Sequence, residues 1–347
     1  MSWHDTPAVR KPRRLGLYLP FLILLAAVAG WSAFWLWARS ELESRMDATV
    51  RNLADAGYHM SWRRRDVGGY PFRLDVSVFD AHLREPSGWE LDAPVLEGEA
   101  FAYALDHWMF AAPQGLSFVR PAAGPVSVTG RVLRASLFGL DHRPPSFDFQ
   151  GQALSFRPGV GAEPFALSAA ELVELHLRAG PDDQGGVFAQ LTGGRAQGSG
   201  LLARIAGEKP ISLTWNSTLS KMSAFRGADW AAAVRGWSEA GGLIDVRATS
   251  QLAAGEALVQ VRSGRLGVDR DGRLSGSLDV TLRQAPRALG AMASTGALPA
   301  AAADAASAVA SARPGGETAH AVIHFQAGQT TLGPVALGPA LRIYTPR

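Results

Sequence analysis

The chain has 347 residues, 47% hydrophobic and 19% charged, which calls for a folded core and excludes a solvated, disordered polypeptide. It has no cysteine, which excludes disulfides, zinc–thiolate centres and a cysteine nucleophile. The whole net charge of +3 sits in Arg10, Lys11, Arg13 and Arg14 against Asp5, so the rest of the chain is neutral and lacks the basic face of a nucleic-acid-binding domain.

After this basic tail (1–14), Leu15 to Trp37 runs 23 residues without a charge. At about 1.5 Å per residue that is roughly 34 Å of helix, enough to cross a hydrocarbon core of about 30 Å. The excess of Lys and Arg on its N-terminal side predicts a cytoplasmic N-terminus and a single-pass anchor in the inner membrane, with the bulk of the chain in the periplasm. Trp31, Trp35 and Trp37 then fall at the outer interface, as an aromatic belt. Ala27-Val28-Ala29 is the rival signal, a cleavage site of the A-x-A kind, but apolar residues continue past it.

Residues 38–57 lack proline, and Leu42, Met46, Val50 and Leu53 recur at helical spacing, so the helix is expected to continue until Gly57. From 58 to 347 the dominant period is two. Phe72, Leu74, Val76 and Val78 alternate with Arg73, Asp75 and Ser77; similar runs follow at 165–177, 211–217, 274–282 and 321–325. Such alternation predicts antiparallel strands with one apolar and one polar face. Asp271-Gly272 is a hairpin signal, and Gly328-Gln329 a second turn. Two segments break the pattern: 227–240, with Trp230, Val234 and Trp237 at helical spacing, and the alanine-rich 285–312, with Leu289, Met292 and Val309 as anchors. The expected fold is mainly β: a transmembrane helix, then a long curved antiparallel sheet, as a groove or half-barrel, with a few accessory helices.

Gly68-Gly69-Tyr70-Pro71-Phe72-Arg73-Leu74 resembles the GYPF signature of a bacterial domain-of-unknown-function family, number 2125. Trp89–Pro94 with Gln114–Leu116, and Leu332–Pro339 near the end, are similar to the same family, and no activity comes with the resemblance. The layout is also similar to envelope proteins of the AsmA type, with one anchor and a long β groove that handles lipid; that likeness is of architecture alone.

No catalytic motif appears: there is no GxSxG elbow and no HExxH helix, so no catalytic residue, metal ligand or cofactor is assigned. Gly198-Ser199-Gly200 before Leu201-Leu202-Ala203 is a loose nucleotide fingerprint without its parallel-strand context. His320 and His324 lie about 13 Å apart along a strand, too far for one metal. Asp182-Asp183 reads as a turn, and Arg63-Arg64-Arg65 as a solvated turn rather than a lipid site. The leading expectation is an envelope scaffold or lipid-handling protein whose apolar groove is lined by Phe72, Leu74, Val76, Phe101, Trp215 and Phe325, with the bilayer and phospholipid as partners. The alternative is a protein–protein interaction module of the envelope, with Trp230 and Trp237 as contacts. A hydrolase ranks last.

Overall fold

The computed structural model describes residues 15–121, 123–140, 144–198, 201–283, 318–333 and 335–346, with 289–290, 293–294, 296, 299–301, 303–304 and 307. The basic tail, Ser199, Gly200, Met292, Val309, Pro334 and most of 285–312 lie outside the described residues; of the alanine-rich segment, 289–290, 293–294, 300–301, 303–304 and 307 are helical, and Leu289 packs in a core cluster with Ala257, Leu282 and Ala303.

One unbroken helix, α1, runs Leu15–Asp55. The membrane segment and its extension are thus a single rod of roughly 60 Å. It stops where Gly57 takes φ +85, a left-handed conformation that glycine adopts without penalty. Among the described residues it is the one helix long and apolar enough to cross a membrane, and side chains from Tyr18 to Val28 stand exposed on it.

The strands follow in order: β1 (His59–Ser61), β2 (Arg64–Gly68), β3 (Arg73–Arg84), β4 (Glu90–Phe101), β5 (Ala104–Ala111), β6 (Leu116–Arg120), β7 (Gly124–Thr129), β8 (Val132–Phe138), β9 (Ser146–Pro158), β10 (Leu167–Ala179) and β11 (Gly185–Ala196). A short α2 (Leu201–Ala206) leads to β12 (Ile211–Leu219), and α3 (Trp230–Glu239) to β13 (Ile244–Val246), β14 (Gln251–Ala254), β15 (Ala257–Val268), β16 (Leu274–Arg283), β17 (Thr318–Gln326), β18 (Gln329–Leu332) and β19 (Val335–Pro339). All belong to one sheet and every pairing is antiparallel. It is a meander in which some lateral positions are filled by two short strands: β5 and β6 both pair with β4, and β7 and β8 both pair with β9.

Local chemistry sets the turns. Gly272, at φ +72, closes the β15–β16 hairpin, and an added Cβ there would come within 2.1 Å of the Tyr344 carbonyl oxygen. The β17–β18 hairpin turns on Ala327-Gly328, with Gln326 paired to Gln329, one residue earlier than the sequence suggests. α3 is capped by the Asp229 side chain, which accepts from the Ala232 backbone at 2.7 Å.

The core lies along the apolar side of the sheet in separate clusters. Val246, Val261, Leu266, Leu278 and Val280 form one; Val126, Val128, Leu133 and Leu154 belong to another. α3 is a lid at one end, with Val234 and Trp237 against Val268 and Tyr344. The outer half of α1 covers the other end. Trp35, Ala38 and Leu42 pack on Leu74 and Ala102, and Leu42 and Met46 on Val67, Val76 and Val78. Trp35 Nε1 donates to the Arg73 carbonyl and Trp31 Nε1 to the Pro71 carbonyl, both at 2.8 Å. This corrects the expected tryptophan belt. Trp35 is 4% exposed because it is the hinge pin between helix and sheet, and only Trp37 points outward as expected.

Candidate functional site

The strand register arranges the side chains into rows that cross the sheet. One row is Val76, Gly98, Phe110, Ala135, Phe149, Leu175, Ala189 and Trp215, from β3 to β12. The row beside it on the same face runs Trp108, Leu137, Phe147, Leu177 and Val187, and on through Ser217, Val246, Gly264 and Leu278 to Ile323. The central members of both rows, from Phe110 through Phe149 and Leu175 to Trp215, are half-buried, whereas both ends of the face are covered. Together these residues form a contiguous strip of half-buried apolar side chains across several strands.

The intervening rows are polar. Asp75, Glu99, Met109, Ser136, Asp148, His176, Phe188 and Asn216 form one, and Ser77, Glu97, Ala111, Arg134, Gln150, Glu174, Gln190 and Thr214 the next. This second face holds a cleft of about 730 Å³ between β3 and β10. At its floor Asp148 accepts from Arg178 through both oxygens, at 2.6 and 2.8 Å, and lies 2.6 Å from His176 Nδ1. Burial pushes the Asp148 carboxyl up, but the hydrogen bonds from Arg178 and His176 outweigh it and hold the group below its ordinary value. Arg134 donates to Gln150, which donates to Glu174.

Two serines, Ser77 and Ser136, line the cleft with His176, and neither is on a strand next to that of the histidine. Asp148 lies on the strand between Ser136 and His176. At about 4.8 Å per strand the Cα atoms of Ser136 and His176 are roughly 10 Å apart, whereas a base must come within about 3 Å of the hydroxyl. A second polar group joins His82, Glu90 and Asp92, whose ligand atoms lie within 4.8 Å of one another. His82 Nδ1 is already 2.6 Å from Asp92, and Glu90 pairs with Arg84 at 3.3 Å, so each donor has a protein partner. Neither constellation is visible in sequence, because both arise from cross-strand register; alternating charged residues were the only trace.

The six residues expected to line a groove fall in three places. Leu74 and Val76 are on the apolar face but lie under α1, at 1% and 6% exposure. Trp215 and Phe325 share that face and pack half-buried on the Val246–Val280 cluster. Phe101 is paired with Arg73, which puts it on the polar face, and Phe72 precedes β3; both are exposed at one end of the sheet. The stretch left half open runs instead over Phe110, Phe147, Phe149, Leu175 and Leu177. Trp237 is not a contact residue: it is 2% exposed and its indole donates to the Ser220 carbonyl at 2.6 Å. Trp230 is 51% exposed, with its indole bonded to the Ile343 carbonyl and its backbone N–H to Glu85.

Other expectations find local explanations. Arg63, Arg64 and Arg65 pair with Asp80, Asp66 and Asp47, so they present no free basic cluster. Asp182 and Asp183 are turn residues at φ 55 and 58, and Asp183 accepts from the Ser223 backbone and hydroxyl. Leu201–Ala206 does form a helix, missed in the sequence, but one of six residues after a strand with antiparallel neighbours on both sides, which is not a dinucleotide unit.

A family model described as an uncharacterized protein conserved in bacteria, DUF2125, matches residues 35–340. No curated protein and no solved structure matches the chain.

Proposed function

The chain belongs to this DUF2125 family, and from that premise we propose that it is an inner-membrane-anchored protein of the bacterial periplasm that holds an apolar chain, such as a phospholipid acyl chain, against the open part of its sheet. One observation carries the reading. The two apolar rows through Phe149 and Leu177 stay half-buried in mid-sheet, while the first is covered at β3 by α1 and the second at its far end by the Val246–Val280 core. Apolar area left in contact with water is unfavourable by about 25 cal/mol per Å², and an apolar partner on this half-buried strip relieves it. Work by binding rather than by chemistry fits the separation of Ser136 from His176. The four basic residues before α1 support a cytoplasmic N-terminus.

Lipid analysis of the purified full-length protein tests it. The wild type is expected to carry phospholipid beyond what a Phe149→Glu, Leu177→Glu variant carries, while Gln150→Glu on the opposite face changes nothing. Equal lipid in all three refutes the reading. For the compartment, a phosphatase fused at Arg347 is expected to be active, and an inactive fusion contradicts the orientation.

A further inference from the structure

The exposed aromatic side chains near the outer part of α1 are not confined to the helix. Two turns of the sheet, β2–β3 and β4–β5, stand beside α1 and carry exposed aromatics: Tyr70 at 52%, Phe72 at 61%, Phe101 at 51% and Tyr103 at 67%. The turns are tied to each other, since the Ala102 N–H donates to the Phe72 carbonyl at 2.9 Å. They are tied to the helix as well. Ser32 Oγ and the Tyr70 hydroxyl are 2.8 Å apart, the Trp31 indole reaches Pro71, and the rings of Trp31 and Phe72 are 6.3 Å apart.

Height along the helix gives the position of this rim. Ser32 is seventeen residues beyond Leu15, roughly 26 Å of rise, close to the outer boundary of a hydrocarbon core of about 30 Å. Charge resumes at the next residue inward from the rim: Arg73 pairs with Glu99 at 3.0 Å. An apolar helix, then a ring of tyrosine and phenylalanine, then ion pairs is the polarity profile of hydrocarbon, interface and water.

We infer that the β2–β3 and β4–β5 turns form an aromatic rim seated in the headgroup region of the bilayer, so that the sheet stands on the membrane at this end instead of hanging free from its anchor. This rests on the membrane-anchor reading. The rim takes the place of the expected tryptophan belt, because Trp35 is spent on holding helix to sheet. It also sets the strand ends of β4 and β5, and hence one end of the apolar face, at the lipid surface.

The absence of cysteine makes the test clean. Single-cysteine forms of the full chain at Phe72, Tyr103, Phe21 and Val160 are labelled with an environment-sensitive fluorophore and reconstituted in phosphatidylethanolamine–phosphatidylglycerol vesicles. Val160 follows β9 at the opposite end of the strands and is fully exposed. The inference expects blue-shifted emission at 21, 72 and 103, and quenching of 72 and 103 by headgroup-level nitroxide lipid, with water-like emission at 160. Water-like emission at 72 and 103 with a buried label at 21 overturns the rim and leaves the anchor standing. Water-like emission at 21 as well overturns the anchor and the rim with it.

Discussion

Val76 and Trp215 stand in the same cross-sheet row, on the same face, yet one is 6% exposed and the other only half-buried. The difference lies in what covers them. Over Val76 the outer half of α1 lays Leu42 and Met46, whereas farther along the same row Phe149 and Leu175 are only half-buried. Strand alternation creates an amphipathic face; an element from elsewhere in the chain decides how much of it remains available. One sheet is therefore packed under α1 at one end and carries a strip of half-buried apolar side chains in its middle.

The comparison breaks most easily at the covered end. Leu74→Ala, at a side chain 1% exposed beneath Trp35, is expected to cost about 2–5 kcal/mol of stability. Leu175→Ala in the half-open rows should cost less than about half of that, since less area leaves contact. Urea unfolding of the detergent-solubilised protein measures both, and equal losses would mean the mid-sheet face is covered as fully as the anchor seat. The two tryptophans of α3 repeat the contrast. Trp237→Ala removes a core side chain and should cost about 3–5 kcal/mol; Trp230→Ala should cost nearer 1–2 kcal/mol, a hydrogen bond and half a ring of contact. A larger loss at Trp230 would shift the anchoring of α3 to its exposed end.

On the polar face the sensitive group is Asp148. Its folded pKa is depressed, so its contribution to stability is complete above the unfolded carboxylate value of about 3.9 and is lost as the pH falls through the folded value. Asp148→Asn should therefore cost about 1 kcal/mol near neutrality, discounted for solvent screening, and its stability should converge with that of the wild type in acid. A difference that grows on acidification would contradict the assignment. The smallest effect expected is at the cap of α3: Asp229→Ala should lower stability by about 1 kcal/mol, seen as a small fall in melting temperature. No fall at all would mean that the tertiary seat of Trp237 fixes the helix without its cap.

The strands β3, β10, β12, β16 and β17, the long helix and its stop at Gly57, and the helix around Trp230–Glu239 were legible in the sequence, because each rests on local periodicity. Even the face membership of Leu74, Val76, Trp215 and Phe325 followed from it. What was not legible depends on contacts distant in the chain. Leu74 and Val76 read as groove residues because nothing local says that α1 returns over them. Phe101 was assigned to the wrong face, since β4 parity is known only once Arg73 is seen opposite it. Trp35 read as a lipid-facing belt residue, and its partner, the Arg73 carbonyl, is 38 residues away. The Asp148–His176–Arg178 cluster joins two strands by register, which composition does not encode.

The central claim is that apolar ligand meets one face of the sheet and not the other. A photo-crosslinking amino acid placed in turn at Phe149 and Leu177 on the apolar face, and at Glu174 and Gln190 on the polar face, in cells grown with radioactive phosphate, tests it directly. The account predicts labelled protein at 149 and 177 and none at 174 and 190. Labelling at all four positions alike, or at none, would contradict it.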